Sequence, residues 1–374
     1  MAEAARAGAA PLLPGLPDEV VVWEILIRLD PKSLLRCRAV ARAWRRAAST
    51  RRLLLAHHAR QPNLPIIYGS HSVPFSVGDI IPVPFDRRAA DPLQPVARFH
   101  PDIFYIEASC EGLLVLSLCV EQTSFAICNP ATRQYAPLPT LSAFMVLGMY
   151  LHGPTGEHRL LLYKSQLLRP TPVTEGQDGS YVFTLGSGQP PRLIGWPDAE
   201  LLACGPPSVL LHGNLHWHLM QYEADESESN LIMVFDTTAE SFRQMRAPDD
   251  LFRVDLFETD GMLGLSSLTG AATITSIDIW LMQDYETEVW TLKYRVELQI
   301  QSYWDYLAAP WDGGVLVLLK PDDYLLQIDI DGKVVASFHH RGLNPTPHWL
   351  KQSLVSHAFF PTLEGYAVNA LPFI

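Results

Sequence analysis

GLLVLSLCVEQTSFAICNPATRQYAP, residues 112–137, is the stretch on which the fold turns. A glycine opens an apolar run, a polar break follows, and a second apolar run stops at Asn129-Pro130 before a third short one. Short apolar segments bounded by turn residues read as strands of an antiparallel sheet. The pattern returns along the chain. Glycine-led apolar runs start at Gly112, Gly213, Gly261, Gly314 and Gly365, separated by 101, 48, 53 and 51 residues, the first being close to two periods. A second series of strand–turn–strand units, marked by Cys128, Phe183, Phe235, Trp280 and Ile328, is spaced by 55, 52, 45 and 48 residues. Two series sharing a period of about 50 residues match the four-stranded blade of a kelch-like propeller. The expectation is six blades, with five or seven as alternatives and a stacked pair of β-sandwiches as the competing arrangement. Residues 145–164 supply a variant second blade with a hairpin at Pro154-Thr155-Gly156, and Asp331-Gly332 marks another tight turn. The last run, from Gly365 to Ile374, is expected to be completed by strands from residues 64–83, leaving the ring no long open edge.

Upstream of Gln61 the grammar is helical. Leu16-Pro17-Asp18-Glu19 has proline early and acids in the first turn, where the helix dipole favours them. Val22, Ile25, Leu26 and Leu29 follow at helical spacing, Asp30-Pro31 ends the helix, and Ser33 is expected to cap the next. Residues 51–60 form a last helix leading into the β domain. The expected organisation is a flexible tail over 1–13, a helical module over 14–60 and a β domain over 61–374. The fold class is thus α+β multidomain: a small N-terminal all-α module of three helices, then an all-β propeller-like domain of about six blades.

The chain has 374 residues, of which 48% are hydrophobic and 18% charged, enough apolar material for a large core. No run approaches the ~18 uncharged apolar residues of a membrane span. The net charge of −12 argues against nucleic acid as a partner. It is unevenly shared: residues 1–60 carry 11 basic and five acidic side chains, leaving the remainder at −18. Five cysteines (Cys37, Cys110, Cys119, Cys128, Cys204) without a CxxC pair argue against a disulfide framework, and the start shows no leader pattern. An intracellular protein, in cytoplasm and/or nucleus, with no membrane partner is expected.

Residues 16–44, LPDEVVVWEILIRLDPKSLLRCRAVARAW, resemble an F-box. The resemblance implies docking on the Skp-type adaptor of SCF ubiquitin ligases and, through it, on cullin and RING subunits. It implies an adaptor interface, or the core beneath it, made of Leu16, Pro17, Glu24, Ile25, Leu26, Leu29, Pro31, Ser33, Leu34, Leu35, Val40 and Trp44. Trp44 would anchor the third helix. The ten basic residues between Arg28 and Arg60, against the single acid Asp30, would steer the module toward an acidic partner. Further on, Ser109-Cys110-Glu111-Gly112-Leu113-Leu114, Asn129-Pro130-Ala131-Thr132-Arg133, Phe235-Asp236-Thr237 through Phe242, and Ile279-Trp280 through Trp290 resemble the C-terminal F-box-associated, kelch-like propeller domain of plant F-box proteins.

Catalytic signatures are absent: there is no GxxxxGK[ST], GxGxxG, GxSxG or HExxH. His216 and His218 share a strand face, with His212 nearby, but no carboxylate or cysteine stands at ligand spacing. Asp329-x-Asp331-Gly332 lacks the rest of a calcium loop and reads as a hairpin turn. No cofactor, metal or catalytic residue is expected. The acidic loop with Glu223, Asp225 and Glu226 and the aromatic cluster of Tyr303, Trp304 and Trp311 are the candidate contacts for an unknown protein substrate. The chain is therefore expected to be a non-catalytic substrate receptor of an SCF-type ubiquitin ligase. The alternatives are an F-box scaffold outside a ligase, or a propeller enzyme or carbohydrate-binding module with a helical cap.

Overall fold

The computed structural model describes residues 11–374 apart from 72–76, 84–92, 101–103, 120–122, 139–140, 142–143, 165–176, 196–207, 219–230, 250, 270–275, 299–305, 312–313, 320–323 and 340–341. Residues 18–28 form one helix, α1, of changing pitch: an α turn at Asp18–Val20, a π turn at Val21–Ile25 and a 3-10 turn at Leu26–Arg28. Then come α2 (Pro31–Val40), α3 (Arg42–Ala47) and α4 (Arg51–Arg60). The cap of α2 is Asp30, not Ser33. Its Oδ1 accepts the Ser33 amide at 3.0 Å, and Pro31 fills the first helical position, where a missing N–H costs nothing. The ordered module also starts before residue 14: Leu12 is buried in its core, and the Leu12 amide donates to Asp18 Oδ1 at 2.8 Å.

Beyond α4 the chain is β. Strands β1 (Asn63–His71), β2 (Val77–Pro82) and β3 (Ala97–Phe99) come first. Blade I holds β4 (Phe104–Cys110), β5 (Leu113–Cys119), β6 (Thr123–Asn129) and β7 (Gln134–Pro137). Blade II holds β8 (Met145–His152), β9 (Glu157–Lys164), β10 (Gly179–Thr184) and β11 (Arg192–Gly195). Blade III holds β12 (Val209–Leu211), β13 (Asn214–His218), β14 (Leu231–Asp236) and β15 (Ser241–Arg246). Blade IV holds β16 (Phe252–Thr259), β17 (Met262–Thr269), β18 (Ser276–Asp284) and β19 (Val289–Glu297). Blade V holds β20 (Tyr306–Trp311), β21 (Gly314–Leu319), β22 (Tyr324–Ile328) and β23 (Val334–His339). Strand β24 (Leu343–Lys351) then returns to β1 and completes blade VI in the order β24-β1-β2-β3.

Six buried clusters, one between each pair of neighbouring sheets, close the ring among the described residues. Val115 faces Leu160 and Leu162 between blades I and II, whereas Leu114 and Leu116, one step along the same strand, face Ile66 and Ile80 between blades VI and I. Met233 packs toward blade II and Ile232 toward blade IV. Clusters around Phe257 with Val317 and around Leu325 with Ile67 complete the circuit. A blade strand is covered on both faces, so GLLVLSL is continuously apolar rather than alternating. This ring, not a pair of sandwiches, is the arrangement the core builds.

The two sequence series mark two different turns. Glu111-Gly112, His212-Gly213 and Asp260-Gly261 have positive φ at both central residues, the type I′ geometry that joins the first two strands of a blade. Cys128, Phe183, Phe235, Trp280 and Ile328 all lie on third strands. There the turn to the fourth strand is held by an Asn or Asp side chain accepting backbone N–H groups. Asp236 Oδ1 takes Thr238 and Ala239 at 2.7 and 2.8 Å, and Asp284 Oδ1 takes Glu286 and Thr287 at 2.9 and 3.1 Å. Asn129 and Asp329 do the same, so the Asp329–Gly332 stretch is a turn. Glu240, left-handed at the end of such a turn, reaches back to blade II: it accepts from Arg159 Nη1 at 2.7 Å, from Tyr150 at 3.0 Å and from Arg192.

Ring closure departs from the expectation at one point. Gly365 leads not into the closing blade but to β25 (Ala367–Val368), a fifth strand added outside β7. The closing strand is β24, LNPTPHWLK, whose two prolines hide its strand character. They are tolerated because an inner strand turns one edge to the central channel, where no ladder bond is lost. The register against β1 shifts between Pro65 and Ile67, absorbing the extra residues.

Candidate functional site

The helical module has its own core. Leu26, Leu34 and Leu53 are fully buried, with Val21, Leu12 and Ala48 around them. The Trp44 indole donates to the Leu12 carbonyl at 2.8 Å, which anchors α3 against the segment preceding α1. His57 is buried beside the Leu29 carbonyl at 2.8 Å, and burial lowers its pKa. The twelve residues of the F-box pattern therefore divide. Leu26, Pro31 and Leu34 are core; Leu29, Ser33, Leu35 and Trp44 are half-buried; Glu24 is exposed and pairs with Arg28 at 2.6 Å. Pro17 is exposed, and Leu16 (42%), Ile25 (37%) and Val40 (67%) turn apolar surface outward. Val20, 38% exposed, joins them and was missed in the sequence. The i→i+5 turn at Val21–Ile25 brings residues five apart toward one side, which a 3.6 period does not. Together these side chains leave exposed apolar surface on a module whose own core is filled.

The module is seated on the ring. Leu354 and Val355, just past β24, enter its core, and Ala131 from the β6–β7 turn packs beside them. His58 on α4 bridges the Gln352 carbonyl at 3.1 Å and Glu111 Oε2 at 3.0 Å. The His58 hydrogen bond is the main cause holding the Glu111 carboxyl below its ordinary pKa. Lys351 Nζ donates to the Ala59 carbonyl at 3.1 Å. Since β4 ends at Cys110, beside Glu111, and β24 at Lys351, the inner strands run toward the module. Call that face of the ring proximal. The opposite ends of the inner strands mark the distal face.

Along the axis near the proximal face lies a cavity of about 300 Å³, with Ser109, Glu111, Glu258, His348 and Lys351 in its wall. Its charged groups are engaged: Glu111 by His58, Lys351 by Ala59, and Glu258 by the Gly261 amide at 2.9 Å. His216 and His218 point into the packing between blades. His216 Nδ1 meets the Val209 carbonyl at 3.2 Å, so Nε2 is the acceptor for Tyr285 O–H at 2.7 Å, and Arg243 donates to the same hydroxyl at 3.0 Å. Burial brings both histidines down to about 4. Among the described residues no group of three or more His, Cys, Asp or Glu side chains is placed to hold a metal ion. Cys110 and Cys128 are buried thiols whose pKa burial raises, to about 12 for Cys110.

Of the proposed substrate contacts, Glu223, Asp225, Glu226, Tyr303 and Trp304 lie outside the described residues. Trp311 ends β20, where its backbone stands opposite Gly314. Tyr105, 62% exposed near the distal start of β4, is an aromatic that the sequence reading passed over, because β4 reads as an ordinary strand.

Comparison with known proteins agrees with this division. Residues 13–58 match the family described as F-box-like, and residues 94–309, more than half the chain, match the family described as F-box associated beta propeller domain. Among curated relatives, one F-box protein of Arabidopsis thaliana is 28% identical over 295 residues, covering 74% of this chain and 67% of its own. A second Arabidopsis F-box protein is 26% identical over 379 residues, covering 93% and 96%. An Arabidopsis F-box/kelch-repeat protein is 23% identical over 326 residues, covering 76% and 70%. With its helical module on one face of a six-sheet ring, the chain belongs to the F-box proteins that carry an F-box-associated β-propeller domain.

Proposed function

We propose that this protein is the substrate-recognition subunit of an SCF-type ubiquitin ligase, acting inside the cell in cytoplasm and/or nucleus. One observation carries the reading. In an F-box-like module whose core is complete, Leu16, Pro17, Val20, Ile25 and Val40 still face outward as uncovered apolar surface. A Skp-type adaptor is the occupant that the family match favours, with cullin and RING subunits recruited through it. The β domain is the surface for a protein substrate, with Glu223, Asp225, Glu226, Tyr303, Trp304, Trp311 and the exposed Tyr105 as its candidate contacts. The role is positional: holding a substrate beside the conjugating enzyme raises the effective concentration of its lysines. The protein itself makes and breaks no covalent bond in this scheme. No helix in the described residues is long and apolar enough to cross a membrane.

The test is co-purification with adaptor and cullin. Leu16→Ala/Pro17→Ala is expected to abolish adaptor capture while leaving the unfolding midpoint near wild type, since both residues are exposed. Equal capture by the variant, or no capture by wild type, overturns the reading.

A further inference from the structure

The module is tied to the ring by more than its chain connection. Only Gln61 and Pro62 separate α4 from β1. The apolar seat on Leu354 and Val355 is non-directional, and by itself would let one body slide on the other. Direction comes from His58, whose side chain is nearly buried and whose two ring nitrogens both meet acceptors, one on the segment after β24 and one on Glu111. Glu111 stands at the tip of the β4–β5 hairpin with φ 51°, a left-handed backbone that an unbranched acidic side chain adopts at a cost. The hairpin cannot drift. A Cβ on the adjacent Gly112 would lie 2.4 Å from Ser353 Cβ and 2.8 Å from the Lys351 carbonyl, so the tip is wedged against the strand end that carries the module.

We propose that Glu111 is a positioning residue: through His58 it locks the helical module onto blade I and so fixes the distance and angle between the adaptor seat and the ring. The functional half rests on the reading of the chain as a substrate receptor. A conjugating enzyme held on a rigid scaffold reaches a defined set of lysines, whereas a swinging module dilutes each of them. A hydrogen bond to an ionised carboxylate supplies the directionality that the apolar seat lacks.

Two substitutions in the full-length protein separate this role from general stability. Glu111→Asn keeps a residue that accepts left-handed backbone but is too short to reach His58. Glu111→Gln keeps an acceptor at the same reach. Trypsin cleavage is followed by mass spectrometry at Arg60-Gln61, the junction, and at Arg46, inside the module. Cleavage at Arg60 is expected to quicken about tenfold or more in Glu111→Asn and to stay within about twofold of wild type in Glu111→Gln. Cleavage at Arg46 and the thermal midpoint should not move. Equal rates at Arg60 in all three proteins refute the lock. Faster cleavage at Arg46 together with a lowered midpoint shows a merely structural residue and also refutes it. Adaptor capture is measured in parallel: capture by wild type and both variants supports the proposal, whereas failure in wild type removes the receptor reading and leaves the junction result to stand or fall separately.

Discussion

Acid should unfold this protein well before its carboxylates are protonated. Burial holds His216, His218, His348 and His357 at about 4, against an ordinary 6.5. Between those values the unfolded chain binds protons that the native state refuses, so stability rises with pH through the window and is lost as pH falls from 6.5 toward 4. At pH 5 each histidine removes about 2 kcal/mol relative to neutral pH, and the four together about 8 kcal/mol. A net stability of about 5–15 kcal/mol is then largely consumed. The assay is urea unfolding followed by tryptophan fluorescence at intervals from pH 7.5 to 5, with the midpoint expected to fall steeply below pH 6.5. His218→Leu isolates one contributor. Neither ring nitrogen of His218 has a partner among the described residues, and the substitution should flatten the slope by up to about 1.4 kcal/mol per pH unit. A midpoint unchanged from pH 7 to 5.5, or a variant as steep as wild type, would show that these side chains are not held neutral by burial.

Other changes test particular contacts. Gly264→Ala puts a methyl group 2.3 Å from the Phe257 ring inside the core between blades IV and V, and overpacking should cost about 1–3 kcal/mol in chemical denaturation. Glu240→Gln takes the charge from a carboxylate that gathers Arg159, Arg192 and Tyr150, and a loss of about 1–3 kcal/mol is expected from urea titration. Phe373→Ala removes a ring 4.6 Å from Phe99 and should destabilise by about 3–5 kcal/mol while leaving adaptor capture intact, because the ring packs in the cluster between blades VI and I and not in the core of the module. Ile25→Asp should weaken adaptor capture at least tenfold in a binding titration with little change in thermal midpoint, because a charge is placed on an exposed docking surface rather than in the core.

The ring was legible because its repeat is written in local chemistry. Residues at Gly112, Gly213 and Gly261 need positive φ, and the Asn and Asp that cap outer turns recur at the same place in blades I, III, IV and V. The closing strand was not, because Pro345 and Pro347 argue against a strand unless one edge is known to be free, and that freedom exists only once the ring is formed. On the helical module the F-box resemblance holds over residues 13–58. It did not separate Leu34 from Val40, since burial depends on Leu12, Leu354 and Val355, which lie outside the pattern. Val20 escaped because the π turn shifts its phase.

Closure by β24 also has a consequence in time. Strands β1–β3 leave the ribosome first, but their inner partner follows about 240 residues later, roughly 10–50 s at ordinary elongation rates. Throughout that interval β1 offers an unpaired edge, and chaperone protection is needed most there. The same late segment brings Leu354 and Val355 into the core of the N-terminal module. A nascent or prematurely terminated chain therefore has neither a sealed ring nor a finished docking module, so the ability to enter a complex is conferred only when translation has passed the last blade.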